Sequence, residues 1–382
     1  MSFQTEKEYQ GYQRSLFDFL LKEVAPLADE IEVTNHIPYE ELTPSFRKWG
    51  LFGPLIPTKY GGLGLTTRQY LPILAELSKV SGAIRVWIHV HNTSARAVAV
   101  YGREVQRREL LPKIAAGELS VAFSLTEAKA GTGRDIKSTA LKKGDNYILN
   151  GEKYLITNAD ITQLFMVLCY TNRELGAKGM SALLVDRNTP GFTVESMPHL
   201  MGCRGAGHGI LTFKDCVVPA ENIVGEEGQG LEIFLGELDP SRVFVAASSL
   251  GTMERALELA LEYAKQRVTF GKAIAERETV RSYLADMAMD IYALRLMLGD
   301  VAQKIDEGKV CPIEANMTKL FGLEAVCRVT DKAMLIFGGR AYIEGYPIER
   351  LYREARLNVL EEGTPTIQRM VIARNLLRGT PW

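Results

Sequence analysis

The sequence lacks the features that mark several specialised classes of protein. Its 382 residues contain no apolar run of about 18 residues, so no membrane-spanning helix is expected. The first residues, MSFQTEKEYQ, resemble neither a secretion signal nor an Arg-rich transit peptide. Lys and Arg number 45 against 46 Asp and Glu, a balance that argues against nucleic-acid binding. These absences predict a soluble cytoplasmic protein, and the length predicts two or three domains.

Cysteine and recognisable metal or nucleotide motifs are also scarce. The five cysteines are scattered, and no CxxC pair is present, which excludes a disulfide scaffold and a thiolate zinc site. The five histidines form no HExxH motif, so we expect no metal, and His89 and His91 are interpreted as ordinary core or surface residues. No GxGxxG motif follows a predicted strand, which argues against a Rossmann domain.

The residues that are present divide the chain into three segments. Residues 1–120 are mostly of helical pattern, with predicted helices over 67–80 and 91–117. Residues 121–235 contain short β-branched and aromatic runs between Gly, Asn, Asp and Pro clusters, which is typical of an antiparallel sandwich or barrel. Residues 236–382 carry apolar stripes at helical spacing, as in a four-helix bundle.

Five glycine-bearing segments are the candidates for chemistry: 124–132, 151–159, 267–272, 336–339 and 361–368. Each alone is compatible with a plain loop, turn or helix cap. In the last segment, Thr364 followed by Pro365 predicts a helix start. A carboxylate just before a helix N-terminus can act as a base in a cleft, although two adjacent glutamates also fit a solvated surface.

Taken together, in this order and spacing, the segments resemble the acyl-CoA dehydrogenase family over essentially the whole chain. The matching motifs are Leu125-Thr126-Glu127, Ile156-Thr157-Asn158, Tyr263 to Lys272, Leu284 to Ala288, Gly338-Gly339, Tyr346 to Arg350, Glu362-Gly363-Thr364 and Ile367-Gln368. The resemblance implies an α-helical N-terminal domain, a β-barrel middle domain and a C-terminal four-helix bundle. It also implies bound FAD, an acyl-thioester substrate and a homotetramer.

The resemblance further implies which residues bind the cofactor and the substrate. The residues expected to contact FAD are Leu125, Thr126, Thr132, Leu155, Ile156, Thr157, Arg267, Thr269, Phe270, Glu278, Leu335, Gly338, Gly339, Thr364 and Thr366. Those from Arg267 to Gly339 are expected to reach FAD across a subunit interface. The residues expected along the thioester channel are Thr132, Asp239, Arg242 and Gly363.

The family places its catalytic base in one of two positions. One is the Glu of the Glu-Gly-Thr motif, here Glu362; the other immediately precedes the bundle arginine, here Ser241 before Arg242. This sequence therefore favours Glu362 and the short- and medium-chain type of site. The implied reaction is α,β-dehydrogenation, in which Glu362 removes the α-proton and flavin N5 takes the β-hydride. The Glu362 backbone N–H and a flavin ribityl hydroxyl would stabilise the developing enolate.

Several positions depart from the family pattern, among them four at or beside the predicted cofactor and catalytic residues. Leu155 stands where Trp or Phe usually lies against the flavin, Glu278 and Leu335 stand where Gln is common, and Glu361 replaces a common Tyr. The two adjacent carboxylates, Glu361 and Glu362, are expected to titrate as a coupled pair.

The sequence leaves the substrate and the direction of the reaction open. We expect Arg85 on the surface; if it faces the acyl pocket instead, a carboxylated or otherwise polar acyl chain becomes attractive. The alternatives are a dehydrogenase of carrier-protein-bound thioesters, an enoyl-CoA reductase and a flavin-free structural homologue. The expected electron acceptor is an electron-transfer flavoprotein.

Overall fold

The computed structural model describes residues 3–130, 133–197 and 200–382. Eleven α-helices occur in these residues, six before the strands of the main sheet and five after them. They are α1 (Glu6–Phe19), α2 (Ala28–Thr34), α3 (Tyr39–Lys48), α4 (Thr67–Val80), α5 (Gly82–Tyr101), α6 (Glu104–Ala115), α7 (Gly230–Gln266), α8 (Glu278–Asp306), α9 (Pro312–Phe337), α10 (Pro347–Leu360) and α11 (Pro365–Leu377). None of the described helices is long and apolar enough to cross a membrane.

The N-terminal helices begin and end where their capping residues predict. Thr66 forms a capping box with Gln69 at the start of α4, and Ser81 both ends α4 and caps α5. The predicted helix over 67–80 is confirmed. The predicted helix over 91–117 is wrong in its bounds. Helix α5 already begins at Gly82, and Gly102 and Arg103 interrupt the helical backbone before α6 begins.

The middle segment forms one eight-stranded sheet. Its strands are β1 (Val121–Ser124), β2 (Thr139–Lys143), β3 (Asn146–Thr157), β4 (Leu164–Tyr170), β5 (Met180–Asp186), β6 (Phe192–Ser196), β7 (His208–Pro219) and β8 (Ile223–Val224). The order is β6-β7-β3-β2-β4-β5-β8, with β1 also beside β4. All pairings are antiparallel except those of β1 and β2 with β4.

Strand β4 shows why this segment contains a continuous apolar run. Phe165, Val167 and Cys169 belong to a core that the sheet itself encloses. Leu164, Met166, Leu168 and Tyr170 project from the other face into a core shared with α5, α6 and α7. A strand that is buried on both faces needs no polar alternation.

The C-terminal helices form the bundle that the apolar stripes predict. On α7, Met253, Ala260 and Ala264 are buried, and on α8 Met287 and Leu294 are buried. Helix α9 packs against α7, α8, α10 and α11 and is therefore central to the bundle. A short hairpin of β9 (Val268–Thr269) and β10 (Lys272–Ala273) joins α7 to α8.

Candidate active site

The turn between α10 and α11 places two carboxylates in the bundle. It consists of Glu361, Glu362 and Gly363, and Thr364 caps α11. Glu362 adopts a left-handed conformation with φ of 55°, which is uncommon for a residue other than glycine. Its carbonyl accepts hydrogen bonds from Gln368 Nε2 at 3.3 Å and from Arg242 Nε at 3.5 Å. The backbone of this turn is thus fixed by side chains from α7 and α11.

The Glu362 carboxyl group has an environment suited to accepting a proton. Burial raises its pKa above the ordinary glutamate value, and the charge of Glu361 raises it further. Lys319, a hydrogen bond from Ser241 and the charge of Arg242 act in the opposite direction. The net effect is a raised pKa, which brings the group closer to neutral pH, where a general base is most effective.

Ser241 links Glu362 to a buried histidine. The Ser241 hydroxyl lies 3.3 Å from His89 Nε2, and both side chains are buried. Burial lowers the pKa of His89 to about 4, so the imidazole is neutral at pH 7. His89 Nδ1 is buried and has no partner in the described part of the chain. The expectation that His89 is an ordinary core residue therefore missed its contact with the site.

We predict that Ser241→Ala moves the acid limb of the pH profile to higher pH. Removing a hydroxyl that stabilises the Glu362 carboxylate raises the pKa of that group, so more of the base is protonated at low pH. The measurement is kcat/KM against pH for the FAD-loaded enzyme. Ser248→Ala is the matched control, because Ser248 is also buried on α7 but its hydroxyl donates to the Phe244 carbonyl of the same helix. An unchanged acid limb in Ser241→Ala would contradict the assignment.

Arg85 is buried, so the expectation of a surface position is wrong. Its Nη1 contacts both oxygens of the Glu361 carboxylate, at 2.8 and 3.0 Å, and its Nη2 donates to Asn358 Oδ1. Although burial opposes ionisation of Glu361, the charge of Arg85, its hydrogen bond and the charge of Lys319 leave the pKa of Glu361 below the ordinary value. The two neighbouring carboxyls are therefore shifted in opposite directions, Glu361 toward the ionised form and Glu362 toward the protonated form.

The residues predicted along the thioester channel lie close to this turn. Asp239 accepts from Arg242 Nη1 at 2.6 Å on α7, and Arg242 also reaches the Glu362 carbonyl. Gly363 is part of the turn itself. Thr132, which is predicted to contact both cofactor and substrate, lies outside the described residues.

One group of predicted cofactor residues meets where strands β1 and β3 end. Leu125 and Thr126 follow β1, and Leu155, Ile156 and Thr157 end β3. The Tyr154 N–H donates to the Thr126 carbonyl at 2.8 Å, which joins the two segments. The buried Lys153 donates to the Leu125 carbonyl at 3.1 Å and to Glu127 at 2.9 Å. This buried ion pair holds the loop after β1 against β3.

The second group lies at one end of the bundle. Arg267 follows α7, Thr269 and Phe270 form the hairpin, Glu278 begins α8, and Leu335, Gly338 and Gly339 lie at the end of α9. Tyr263 stacks on Phe337 with ring centroids 4.2 Å apart, which holds the end of α7 against the end of α9. Thr364 and Thr366 are exposed at the start of α11.

Both groups offer surfaces that fit a large flat cofactor. Leu155, at a bulge in β3 with φ of 56°, is 45% exposed, and Phe270 is 95% exposed. Open space surrounds Gly338 and Gly339. Exposed apolar side chains beside threonine hydroxyls and glycine backbone match a molecule that combines an aromatic ring system with phosphates. The residues that are present therefore fit FAD.

Sequence reasoning missed two buried charged residues at the site. Lys319 on α9 donates to the Glu361 carbonyl and, at 2.6 Å, to the Gly363 carbonyl. Glu237 on α7 pairs with Arg96 at 2.7 Å, and burial raises its pKa to about 7. Neither residue lies in a motif that the sequence analysis identified. In the described residues, no cluster of His, Cys, Asp and Glu is arranged to hold a metal ion.

Three family models match the chain along most of its length. They describe the N-terminal domain of acyl-CoA dehydrogenase at residues 6–118, the middle domain at 122–216 and the C-terminal domain at 228–377.

Individual proteins are similar over nearly the whole chain. An acyl-CoA dehydrogenase of Bacillus subtilis is 38% identical, with 95% of this chain and 96% of that protein covered. An acryloyl-CoA reductase (NADH) of Anaerotignum propionicum is 34% identical, with 99% and 96% covered. The solved FAD complex of PigA is similar with a TM-score of 0.92 and 27% identity, with 100% of both chains covered.

Proposed function

Because this chain belongs to the acyl-CoA dehydrogenase family of oxidoreductases, we propose that it catalyses the FAD-dependent α,β-dehydrogenation of an acyl-CoA thioester. The observation that carries this proposal is the environment of the Glu362 carboxyl group. Its carboxyl group has a raised pKa, contacts Ser241 and follows a carboxylate that stays ionised. Since Ser241 cannot act as a base, Glu362 is the group that removes the α-proton.

The residues around Glu362 prepare this proton transfer. The α-proton of a thioester is weakly acidic, so its removal requires a desolvated carboxylate held close to it. Ser241 and Arg242 orient the carboxyl group and its backbone, and the Glu362 N–H is a donor for the thioester oxygen as negative charge develops there. The base and the oxyanion donor therefore come from the same residue.

FAD is the cofactor that the family and the two groups of predicted residues support. When bound, it supplies the acceptor for the hydride that leaves the β-carbon. Leu125, Thr126 and Thr157 would hold it at the sheet, and Arg267 and Gly338 would hold it from a second subunit. The test is the absorption of the purified protein. A band near about 450 nm at one FAD per chain is expected, and a folded protein that takes up no FAD would contradict this.

We also propose that the acyl group ends without a carboxylate. A free buried arginine would favour a dicarboxylic acyl chain, but Arg85 already contacts both oxygens of Glu361. A distal carboxylate would have to displace Glu361 and leave that charge buried without its partner, which is costly.

A panel of CoA esters tests the reaction and the acyl group together. Butyryl-, hexanoyl- and octanoyl-CoA are compared with succinyl- and glutaryl-CoA, with an artificial electron acceptor. We expect kcat/KM to be at least tenfold higher for the monocarboxylic esters. Preference for glutaryl-CoA would contradict the proposed acyl group, whereas turnover of none of these esters would contradict the dehydrogenase function. Turnover only of acyl groups attached to a carrier protein would identify the alternative substrate.

A second candidate function is the reverse reaction, reduction of an enoyl-CoA. The similarity to the acryloyl-CoA reductase (NADH) of Anaerotignum propionicum favours it. Both directions use the same base, because Glu362 in its protonated form returns the proton to the α-carbon. An assay with a reduced dye and crotonyl-CoA separates the two directions: a higher kcat/KM than in the oxidative assay would identify a reductase.

We propose a homotetramer, with an electron-transfer flavoprotein as the redox partner. The residues predicted to reach FAD from a neighbour lie with exposed apolar side chains, Phe270, Leu335, Tyr342 and Ile343, at the end of α9 and in the adjacent hairpin. Exposed apolar surface of this kind favours burial against another subunit. Light scattering of the FAD-loaded protein tests this, and a monomer that retains FAD would contradict it.

A further inference from the structure

We propose that Lys319 is a positioning residue for the proton-transfer step, an inference that rests on the proposed function of Glu362. Lys319 lies on α9, the central helix of the bundle, and is fully buried. Its ammonium group donates to the carbonyls of Glu361 and Gly363, the residues on either side of Glu362. One ammonium group therefore hydrogen-bonds the backbone both before and after Glu362.

These hydrogen bonds fix the direction in which the Glu362 N–H, the proposed oxyanion donor, points. The Glu361 carbonyl and the Glu362 N–H belong to the same planar trans peptide unit, so they point in opposite directions. Holding the carbonyl toward α9 therefore holds the N–H away from it. The same ammonium group holds the Gly363 carbonyl, in the peptide unit between Gly363 and Thr364, so the backbone is anchored to Lys319 both before and after Glu362.

The same contacts maintain the backbone conformation of Glu362. A left-handed residue other than glycine is strained by about 1–3 kcal/mol and persists only when its surroundings enforce it. Gln368 Nε2 also donates to the Gly363 carbonyl, at 3.1 Å, so Lys319 and Gln368 together bond all three carbonyls of the turn. Lys319 is the charged member of this pair, and hydrogen bonds from a charged donor are the stronger kind.

The charge of Lys319 also acts on the carboxyl group of Glu362. It favours the ionised form, since the ammonium charge lowers the pKa that burial raises. Other groups in the same environment are Glu361 in the turn, Arg242 on α7 and His89 on α5. Burial lowers the pKa of Lys319 to about 8, while Glu362 and Glu361 oppose this change. The ammonium form, which the two carbonyls require, is the main form at pH 7.

The test is Lys319→Met, measured on FAD-loaded enzyme. We expect kcat per bound FAD to fall about 10²-fold, the effect of misplacing reacting groups by about 1 Å. We also expect the acid limb of kcat/KM to move to higher pH, because Glu362 loses a neighbouring positive charge. Lys332→Met is the matched control: it is the same substitution on α9, but Lys332 pairs with Asp286 on α8.

A second variant separates positioning from folding. In Lys319→Ala, ethylammonium chloride is expected to restore part of kcat, whereas the same concentration of sodium chloride is not. Should Lys319→Met fail to fold, Lys319→Gln takes its place in the pH measurement. A purely structural lysine would lower the melting temperature but leave kcat per FAD and the acid limb unchanged, and that result would overturn the proposal.

A third measurement keeps this inference distinct from the proposed function. Exchange of the α-protons of acetyl-CoA into D2O reports the base alone, because acetyl-CoA has no β-carbon to release a hydride. Wild-type exchange with a much slower rate in Lys319→Met supports both proposals. Equal rates in the two proteins overturn the role of Lys319 only, and the absence of wild-type exchange overturns the role of Glu362.

Discussion

Replacing Glu362 by Gln is expected to lower kcat by at least about 10²- to 10⁴-fold, the usual contribution of general-base catalysis. The amide keeps the volume of the carboxyl group but cannot accept the α-proton at neutral pH. The neighbouring Ser241 cannot replace it as a base. FAD should remain bound, because the predicted cofactor residues are untouched. The measurement is kcat on the best CoA ester of the panel, per bound FAD.

The control for this variant is Glu324→Gln, which changes a partly exposed glutamate on α9 that pairs with Arg369, and it should leave kcat unchanged. Glu361→Gln tests whether the base is assigned to the correct one of the two adjacent glutamates. Its effect on kcat should be far smaller than that of Glu362→Gln. If the Glu361 variant were inactive and the Glu362 variant fully active, the base would be Glu361. Normal activity in both variants would contradict the dehydrogenase mechanism itself.

Replacing Arg85 by Met is expected to destabilise the protein strongly. The substitution removes the fully buried partner of a largely buried carboxylate, and breaking such a pair costs about 3–5 kcal/mol. For a chain of this size that corresponds to a fall of roughly 5 °C in the thermal midpoint of the FAD-loaded enzyme. Asn358 would also lose its charged donor.

The double variant Arg85→Met, Glu361→Leu isolates the pair. With both charges removed, most of the lost stability should return, because a buried ion pair can be replaced by apolar side chains at little cost. A double variant no more stable than Arg85→Met would show that the pair is not the cause.

The contribution of the Arg85–Glu361 ion pair to the stability of the folded protein should also depend on pH. The folded-state pKa of Glu361 lies below the ordinary value of 4.5, so the stabilisation is complete above that pH and is lost as the pH falls through the lower value. The difference in thermal midpoint between wild type and Arg85→Met should therefore shrink on acidification. A difference that grows instead would contradict the depressed pKa.

The local patterns of the sequence were sufficient for most of the fold. The stripe on α8 around Met287 and Leu294 and the helix start at Thr364–Pro365 depend on residues only a few positions apart, and both are confirmed. Strand β3 is different, because it continues from Asn146 to Thr157 although its pairing with β7 shifts register twice, the second time between Lys153 and Ile156. A bulge depends on the register with β7, which a single strand does not encode.

The candidate active site shows more clearly that local sequence patterns do not report contacts between distant residues. Glu362 could be predicted because its motif is local, but Arg85 could not be placed, since its partner Glu361 is 276 residues away. Lys319 left no pattern in the sequence, because its acceptors are backbone carbonyls, which every residue has. Long-range charge pairs and side chains that bind backbone are the features that sequence periodicity does not report.

The left-handed backbone of Glu362 has a consequence for how this protein responds to selection. Glycine is the residue that this conformation favours, and it would also remove a carboxyl group from a desolvated position. Glu362→Gly is therefore the replacement that a screen for thermostability alone would tend to enrich, although it removes the base. Position 362 should thus be held constant in any library designed to stabilise this enzyme, because a substitution there can raise stability while it abolishes activity.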